Sequence, residues 1–129
     1  MNKNLKKSIA GLAMFLVLFM SACSTKHSQS TPESAIVFAI HLLENKKHDE
    51  VIDKLMDPRY MQRYTPAKLL RLKARFKAGK KPQRFLEHLR IAKSTRAFKK
   101  TDTLVVYKVS ETGRKLKLIK IGDKWYIKN

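Results

Sequence analysis

The feature that most constrains this fold is a short apolar run that ends beside the only cysteine of the chain. Residues 1–8 contain three lysines and no acid, residues 9–20 are apolar apart from Gly11, and Cys23 follows. A basic start followed by an apolar segment too short to span a bilayer is typical of an export signal. The rest of the chain must therefore fold around its apolar core, with no internal disulfide.

The four residues Met20-Ser21-Ala22-Cys23 resemble the bacterial lipobox, in which Leu is usual where Met20 stands. The resemblance implies that residues 1–22 are a lipoprotein signal peptide and that Cys23 carries the lipid. An ordinary cleaved signal with an incidental cysteine is the alternative. Because Ser24 replaces the aspartate that retains such proteins at the inner membrane, resemblance favours the periplasmic face of the outer membrane. In a cell with one membrane, the same signal implies the outer face of that membrane.

Residues 23–31 comprise the cysteine and a polar segment without periodic apolar residues, for which we expect a flexible tether. Its eight residues after Cys23 would span about 16 Å. Residues 32–129 are expected to form a single domain with a radius of gyration of about 13 Å. The tether would therefore hold the domain close to its membrane.

Helical patterns precede strand patterns in this domain. Cap signals at Thr31-Pro32 and Thr65-Pro66 predict two helices, and a third is predicted between them at about 49–56. Residues 80–90 fit either a helical turn or the approach to a strand, with strand character from about Ile91. Strands are predicted at 103–109, 115–121 and 124–127. The order predicts an α+β domain with N-terminal helices packed on a curved antiparallel sheet of three or four strands, and Trp125 inward with Ile127.

Two segments resemble the ketosteroid-isomerase-like, or nuclear-transport-factor-like, superfamily, also described as cystatin-like. They are the opening Thr31-Pro32-Glu33 with Phe38, and the closing residues 121–127, where a Gly/Asp turn leads into a Trp-bearing strand. The likeness is to small bacterial lipoproteins of uncharacterised function. It implies a cone formed by a curved sheet around helices. Residues 57–90 depart from that pattern, because they are longer and more basic.

The chain is strongly basic, with 29 Lys+Arg and 10 Asp+Glu. Removal of residues 1–22 would remove three lysines and no acid, which leaves a formal charge of +16. Residues 68–100 hold 13 of the cations and a single acid, Glu87. The candidate anion-binding residues in this stretch are Lys68, Arg71, Arg75, Lys80, Lys81 and Arg84. The alternative is a solvated basic surface that keeps the protein soluble.

Nothing in the sequence predicts a catalytic site, a metal site or a cofactor. Asp49, Asp53 and Asp57 share one helix face by spacing, which indicates a solvated face or a site for a cation or a basic partner. The four histidines lack metal-ligand spacing, and Glu87 and Asp102 are the acids that a cone-fold enzyme could use. Tyr60, Tyr64 and Tyr107 could line a cone mouth or belong to the core.

The sequence therefore predicts a lipid-anchored, non-enzymatic envelope protein with a basic surface for an anionic lipid, envelope polymer or acidic protein. Nucleic acid is a poor candidate, because export separates the chain from it and no nucleic-acid motif is present. Two alternatives remain open. One is a small-ligand or enzymatic cone-fold domain, and the other is an immunity-type lipoprotein that blocks an exported toxin.

Overall fold

A computed structural model describes residues 27–128 as an α+β domain of five helices and a four-stranded antiparallel sheet. The predicted fold class is confirmed. Cys23 and the predicted signal peptide lie outside the described residues. The helices are α1 (Pro32–Glu44), α2 (His48–Leu55), α3 (Pro58–Met61), α4 (Pro66–Ala78) and α5 (Lys81–Ser94), and the strands are β1 (Lys99–Lys100), β2 (Leu104–Lys108), β3 (Lys115–Ile121) and β4 (Lys124–Lys128).

The predicted starts of α1 and α4 are confirmed by their caps. The Thr31 hydroxyl accepts the Ser34 backbone N–H at 3.0 Å, and the Ser34 hydroxyl accepts the Thr31 backbone N–H at 3.0 Å. At α4 the Thr65 hydroxyl accepts the Lys68 backbone N–H at 3.3 Å. Each cap satisfies an N–H group that has no partner inside its helix, so these sequence signals fix where the helices begin.

The segment that the sequence left ambiguous is the long helix α5. Pro82 lies in its first turn, where a proline ring is compatible with helix geometry. Leu89 and Ala92 are buried, and Phe85 is half-buried one turn earlier, which is helical spacing. The expectation that strand character begins near Ile91 was wrong, because Ile91 lies on the exposed side of this helix.

The sheet is a meander with strand order β1-β2-β3-β4. Leu118 in β3 lies opposite Val105 in β2 and Ile127 in β4, so these three side chains share one face. The turn between β3 and β4 contains Gly122 at φ +64°, a backbone angle that residues other than glycine rarely adopt. Trp125 lies inward with Ile127, as predicted.

Helix α1 packs against this inner face and forms the centre of the core. Its buried side chains include Ile36, Ala39 and Leu43, and they belong to the same apolar cluster as Leu118. Helices α1 and α2 contact β4, while α5 contacts both α1 and β3. Among the described residues, this cluster extends from Ala35 to Ile127 and joins the helices to the sheet.

The outer edge of β4 is covered by two other segments. The Trp125 backbone N–H donates to the Gln29 carbonyl at 2.8 Å, and the Gln29 side-chain amide donates to the Trp125 carbonyl at 3.0 Å. Farther along, the Asp57 backbone N–H donates to the Ile127 carbonyl at 2.9 Å. These bonds satisfy groups that an exposed edge strand would offer to another chain. They also attach the end of the predicted tether to the domain.

Replacing Leu118 with alanine tests the position of the core. Leu118 is 0 % exposed, so Leu118→Ala is expected to lower the free energy of unfolding by about 2–5 kcal/mol. The matched control is Leu70 on α4, which is 68 % exposed. Leu70→Ala should change the free energy of unfolding by no more than about 0.5 kcal/mol. Urea denaturation measures both. Equal losses in the two variants would contradict this core.

Candidate anion-binding surface

Helix α4 presents one of its basic faces to the acids of α2. Lys73 Nζ lies 2.7 Å from an Asp53 carboxylate oxygen, and Lys77 Nζ lies 3.0 Å from an Asp49 carboxylate oxygen. The sequence predicted a solvated face for these aspartates, or a site for a cation or a basic partner. The structure shows that the partner is another helix of the same chain. These two ion pairs neutralise part of the basic stretch.

Asp57 does not share that helix face, and the prediction that it does was wrong. Helix α2 ends at Leu55, and Met56 is extended (ψ 147°), so the chain turns before Asp57. Asp57 is 6 % exposed and caps α3 by accepting the Arg59 backbone N–H at 2.9 Å. Its two oxygens also accept bonds from the Arg59 guanidinium at 3.3 and 3.2 Å.

The opposite face of α4 carries cations that have no acid beside them. Lys68, Arg71 and Arg75 are all exposed, and none forms an ion pair with a residue in the described range. Like charges at i,i+3 and i,i+4 repel one another. This face of the helix therefore holds a local positive field that an anionic partner could neutralise.

The other three predicted cations lie at the start of α5. Lys80 is its N-cap residue, Lys81 is its first residue, and Arg84 follows one turn later. All three are exposed and unpaired within residues 27–128, and the first turn of the helix contains no acid. The positive end of the helix dipole adds to their charge. The structure thus places the six predicted residues on two consecutive helices.

Between α2, α3, α4 and α5 lies an open depression of about 530 Å³, which we call the helical groove. The apolar face of α4 carries Leu69, Leu72 and Phe76, yet no residue of this helix is fully buried. Its packing is incomplete on the side that faces the groove. The apolar wall comprises Ile52, Met56, Met61, Leu72, Phe76 and Phe85.

The polar part of the groove is basic. Lys81, Arg84 and Arg114 line it together with His88 and Tyr60, and no carboxylate from residues 27–128 does. Arg114 comes from the loop between β2 and β3, about thirty residues after Arg84 in the chain. Sequence reasoning missed Arg114, because only the packing of the sheet against the helices brings the β2–β3 loop to the groove.

A second basic surface, which was not predicted from the sequence, lies on the outer face of the sheet. Lys108 lies opposite Lys115, and Lys117 lies opposite Lys128, although like charges that face each other across strands destabilise a sheet. Lys108 Nζ lies 4.1 Å from the ring centre of Phe98, which is 55 % exposed. The alternation of Lys and apolar residues in β3 was the signal for this face.

The three tyrosines do not meet at one site. Tyr107 is buried and lines a cavity of about 420 Å³ between α1 and the end of α5, with Glu33 at its rim. Burial, and then the negative charge of Glu33, raise the pKa of Tyr107. Tyr60 of α3 shares a hydrogen bond of 3.1 Å with Tyr64, and neither lines the cavity of Tyr107.

The remaining candidate polar residues are dispersed. Glu87 and Asp102 are both exposed, His27 stacks on Phe38 and His41, and His48 contacts the edge of Phe76. Within residues 27–128, no cluster of three His, Cys, Asp or Glu side chains is arranged to hold a metal ion. In the same range, no helix has both the length and the apolar character needed to cross a bilayer.

Comparisons with known proteins add no relative. No protein family, no curated protein and no solved structure matches this chain. The resemblance to the ketosteroid-isomerase-like superfamily therefore stays a prediction. The function must be argued from the surfaces of the domain itself.

The stability of the folded domain depends on pH through the buried carboxylate of Asp57. Burial alone would raise the pKa of Asp57, but the hydrogen bonds from Arg59 and the charges of Arg59 and Lys128 outweigh it and hold this pKa below its usual 3.8. Because the pKa of Asp57 is lower in the folded than in the unfolded state, its charge stabilises the fold at pH values above the unfolded-state pKa. That stabilisation is lost as the pH falls through the folded-state pKa.

Asp57→Asn is therefore expected to cost about 1–2 kcal/mol at pH 7, and the difference from wild type should shrink below about pH 4. Urea denaturation at a series of pH values measures it. Asp102→Asn removes an exposed acid that has no ion pair in the described part of the chain, and it should cost almost nothing at any pH. A cost at Asp57 that stays constant with pH would contradict the role of its charge.

Proposed function

We propose that this chain is a lipid-anchored protein of the bacterial cell envelope, whose domain binds an anionic partner through the basic face of α4 and the start of α5. The observation that supports it is the distribution of acids. The aspartates nearest to α4 pair with Lys73 and Lys77, while the six predicted cations have no ion pair within residues 27–128. An uncompensated field of this kind attracts anions.

Anionic phospholipid headgroups are the first candidate partner, because of where the proposed anchor would hold the domain. The end of the predicted tether contacts the domain through Gln29, and His27 stacks on Phe38. Only residues 24–26 then separate a lipidated Cys23 from the described domain, a distance of about 10 Å for a flexible chain. At that distance, which is close to a Debye length, exposed cations interact with a charged membrane surface.

The domain needs no catalytic chemistry for this role. A cation near an anionic bilayer contributes about 1 kcal/mol, and these contributions accumulate over a surface. A multiply acylated cysteine would itself anchor the chain stably. The basic surface would therefore orient the domain on the membrane rather than retain it there.

Vesicle binding by the mature chain with Cys23→Ser, which has no acyl group, tests this function. We expect co-sedimentation with phosphatidylglycerol-containing vesicles, little with pure phosphatidylcholine, and weaker binding at high salt. Replacing Lys68, Arg71 and Arg75 together with glutamine should weaken binding by about 3 kcal/mol, roughly a hundredfold.

The control removes the same number of charges from the outer face of the sheet, by replacing Lys108, Lys115 and Lys117 with glutamine. If this variant loses as much affinity as the α4 variant, binding reflects net charge rather than the proposed surface. Equal binding of the unsubstituted surface to neutral and anionic vesicles would show that the partner is not an anionic lipid bilayer.

A further inference from the structure

The helical groove is a place where the apolar packing of this small domain is left open. Helix α4 has a regular apolar face, yet Leu72 and Phe76 remain half-exposed because α2 and α5 do not close over them. Phe85 of α5 faces Phe76 edge-on, with ring centres 6.5 Å apart, and forms one wall. A concave apolar surface of this kind is the usual form of a small-molecule site.

The cations of the groove lie at its border and have no acid to pair with. Lys81, Arg84 and Arg114 come from two separate parts of the chain, and none of them forms an ion pair with a described residue. Tyr60 contributes a hydroxyl that is hydrogen-bonded to the hydroxyl of Tyr64. The groove therefore combines an apolar wall with a basic border, which is complementary to a molecule that has an apolar chain and one anionic end.

We propose that the helical groove binds the chain of a single-chain amphiphile with an anionic head, such as a fatty carboxylate or an alkyl phosphate. The chain would lie along the α4 wall, and the head would reach the guanidinium groups of Arg84 and Arg114. Guanidinium binds carboxylate and phosphate through paired hydrogen bonds. Met56 and Met61, whose side chains are flexible, would adapt to chains of different length.

The dimensions of the groove suit this class of ligand. Its volume of about 530 Å³ lies within the range of small-molecule sites, about 300–1,000 Å³. Each buried methylene should strengthen binding by about fourfold. A short anion without a chain should therefore bind far more weakly than a long one, although its charge is the same.

This proposal goes beyond the proposed function, although Lys81 and Arg84 belong to both the basic surface and the groove. The two are nevertheless separable. Adsorption to a bilayer depends on the charge of Lys68, Arg71 and Arg75, which do not line the groove. Capture of one amphiphile depends on the apolar wall, which bilayer adsorption by charge does not require.

Calorimetric titration of the mature Cys23→Ser chain with soluble amphiphiles tests the groove. Decyl phosphate and decanoate, each kept below its micelle concentration, should bind at a ratio of one to one. Decanol lacks the charge and should bind at least about tenfold more weakly, since a charge-assisted hydrogen bond contributes that much. Butyl phosphate lacks six methylenes and should bind more weakly by roughly a thousandfold or more where most of these methylenes are buried in the groove.

Two pairs of variants locate the site. Leu72→Gln should weaken decyl phosphate binding about tenfold or more, whereas Leu70→Gln, on the same helix but 68 % exposed, should not. Arg84→Gln should remove most of the preference for decyl phosphate over decanol. Lys120→Gln, which removes an exposed cation of β3 outside the groove, should preserve that preference.

Amide chemical shifts of the wild-type chain provide a test that needs no variant. On addition of decyl phosphate, the shifts should move around Phe76 and Phe85 and stay constant around Tyr107, which lines the other cavity. Shifts centred on Tyr107, binding that Leu72→Gln leaves unchanged, or no saturable binding would each overturn the proposal. Vesicle binding without amphiphile binding would overturn only the proposal that the groove binds an amphiphile. Amphiphile binding without vesicle binding would overturn only the proposal that the basic surface binds the membrane.

Discussion

The burial of one face of the sheet beneath α1 is the interaction on which the rest of this structure depends. Leu118 at the centre of β3 and Ile36 of α1 are almost completely inaccessible to solvent, and they belong to one continuous apolar cluster. A chain with no disulfide available to the domain must obtain its stability from such burial. The other helices then take positions around this pair of elements, and those positions decide which surfaces stay open.

The acids of the domain explain why its positive charge is uneven. Asp49 and Asp53 on α2 bind Lys77 and Lys73, so one side of α4 is neutralised by the contact that holds it to α2. Exposed ion pairs of this kind add little stability, about 0–1 kcal/mol each. Their larger consequence is that the positive charge of α4 is concentrated on its other side, where Lys68, Arg71 and Arg75 face solvent without an ion pair in the described residues.

Local signals were sufficient for the starts of α1 and α4 and for the strands β2, β3 and β4. Thr31 and Thr65 are recognisable caps, and alternation in β4 placed Trp125 inward with Ile127. The sequence was least informative from residue 80 to residue 90, where a few apolar residues among many cations fit a helix or the approach to a strand, and it predicted strand character from about Ile91, where α5 continues. Contact between α5 and α1 resolves that ambiguity, and such long-range contact cannot be read from a local pattern.

The sequence by itself determined the residue types and their order: a basic and apolar start, one cysteine after it, an α+β order of elements and a large excess of cations. Only the tertiary structure decided which cations are neutralised and which border a groove. Arg84 and Arg114 are distant in sequence, yet both line the groove. Asp57 does not lie on the helix face predicted for it, because α2 ends at Leu55 and the chain turns at Met56. The physical reason is that charge counts depend on residue types alone, whereas the field at a surface depends on the distances between them.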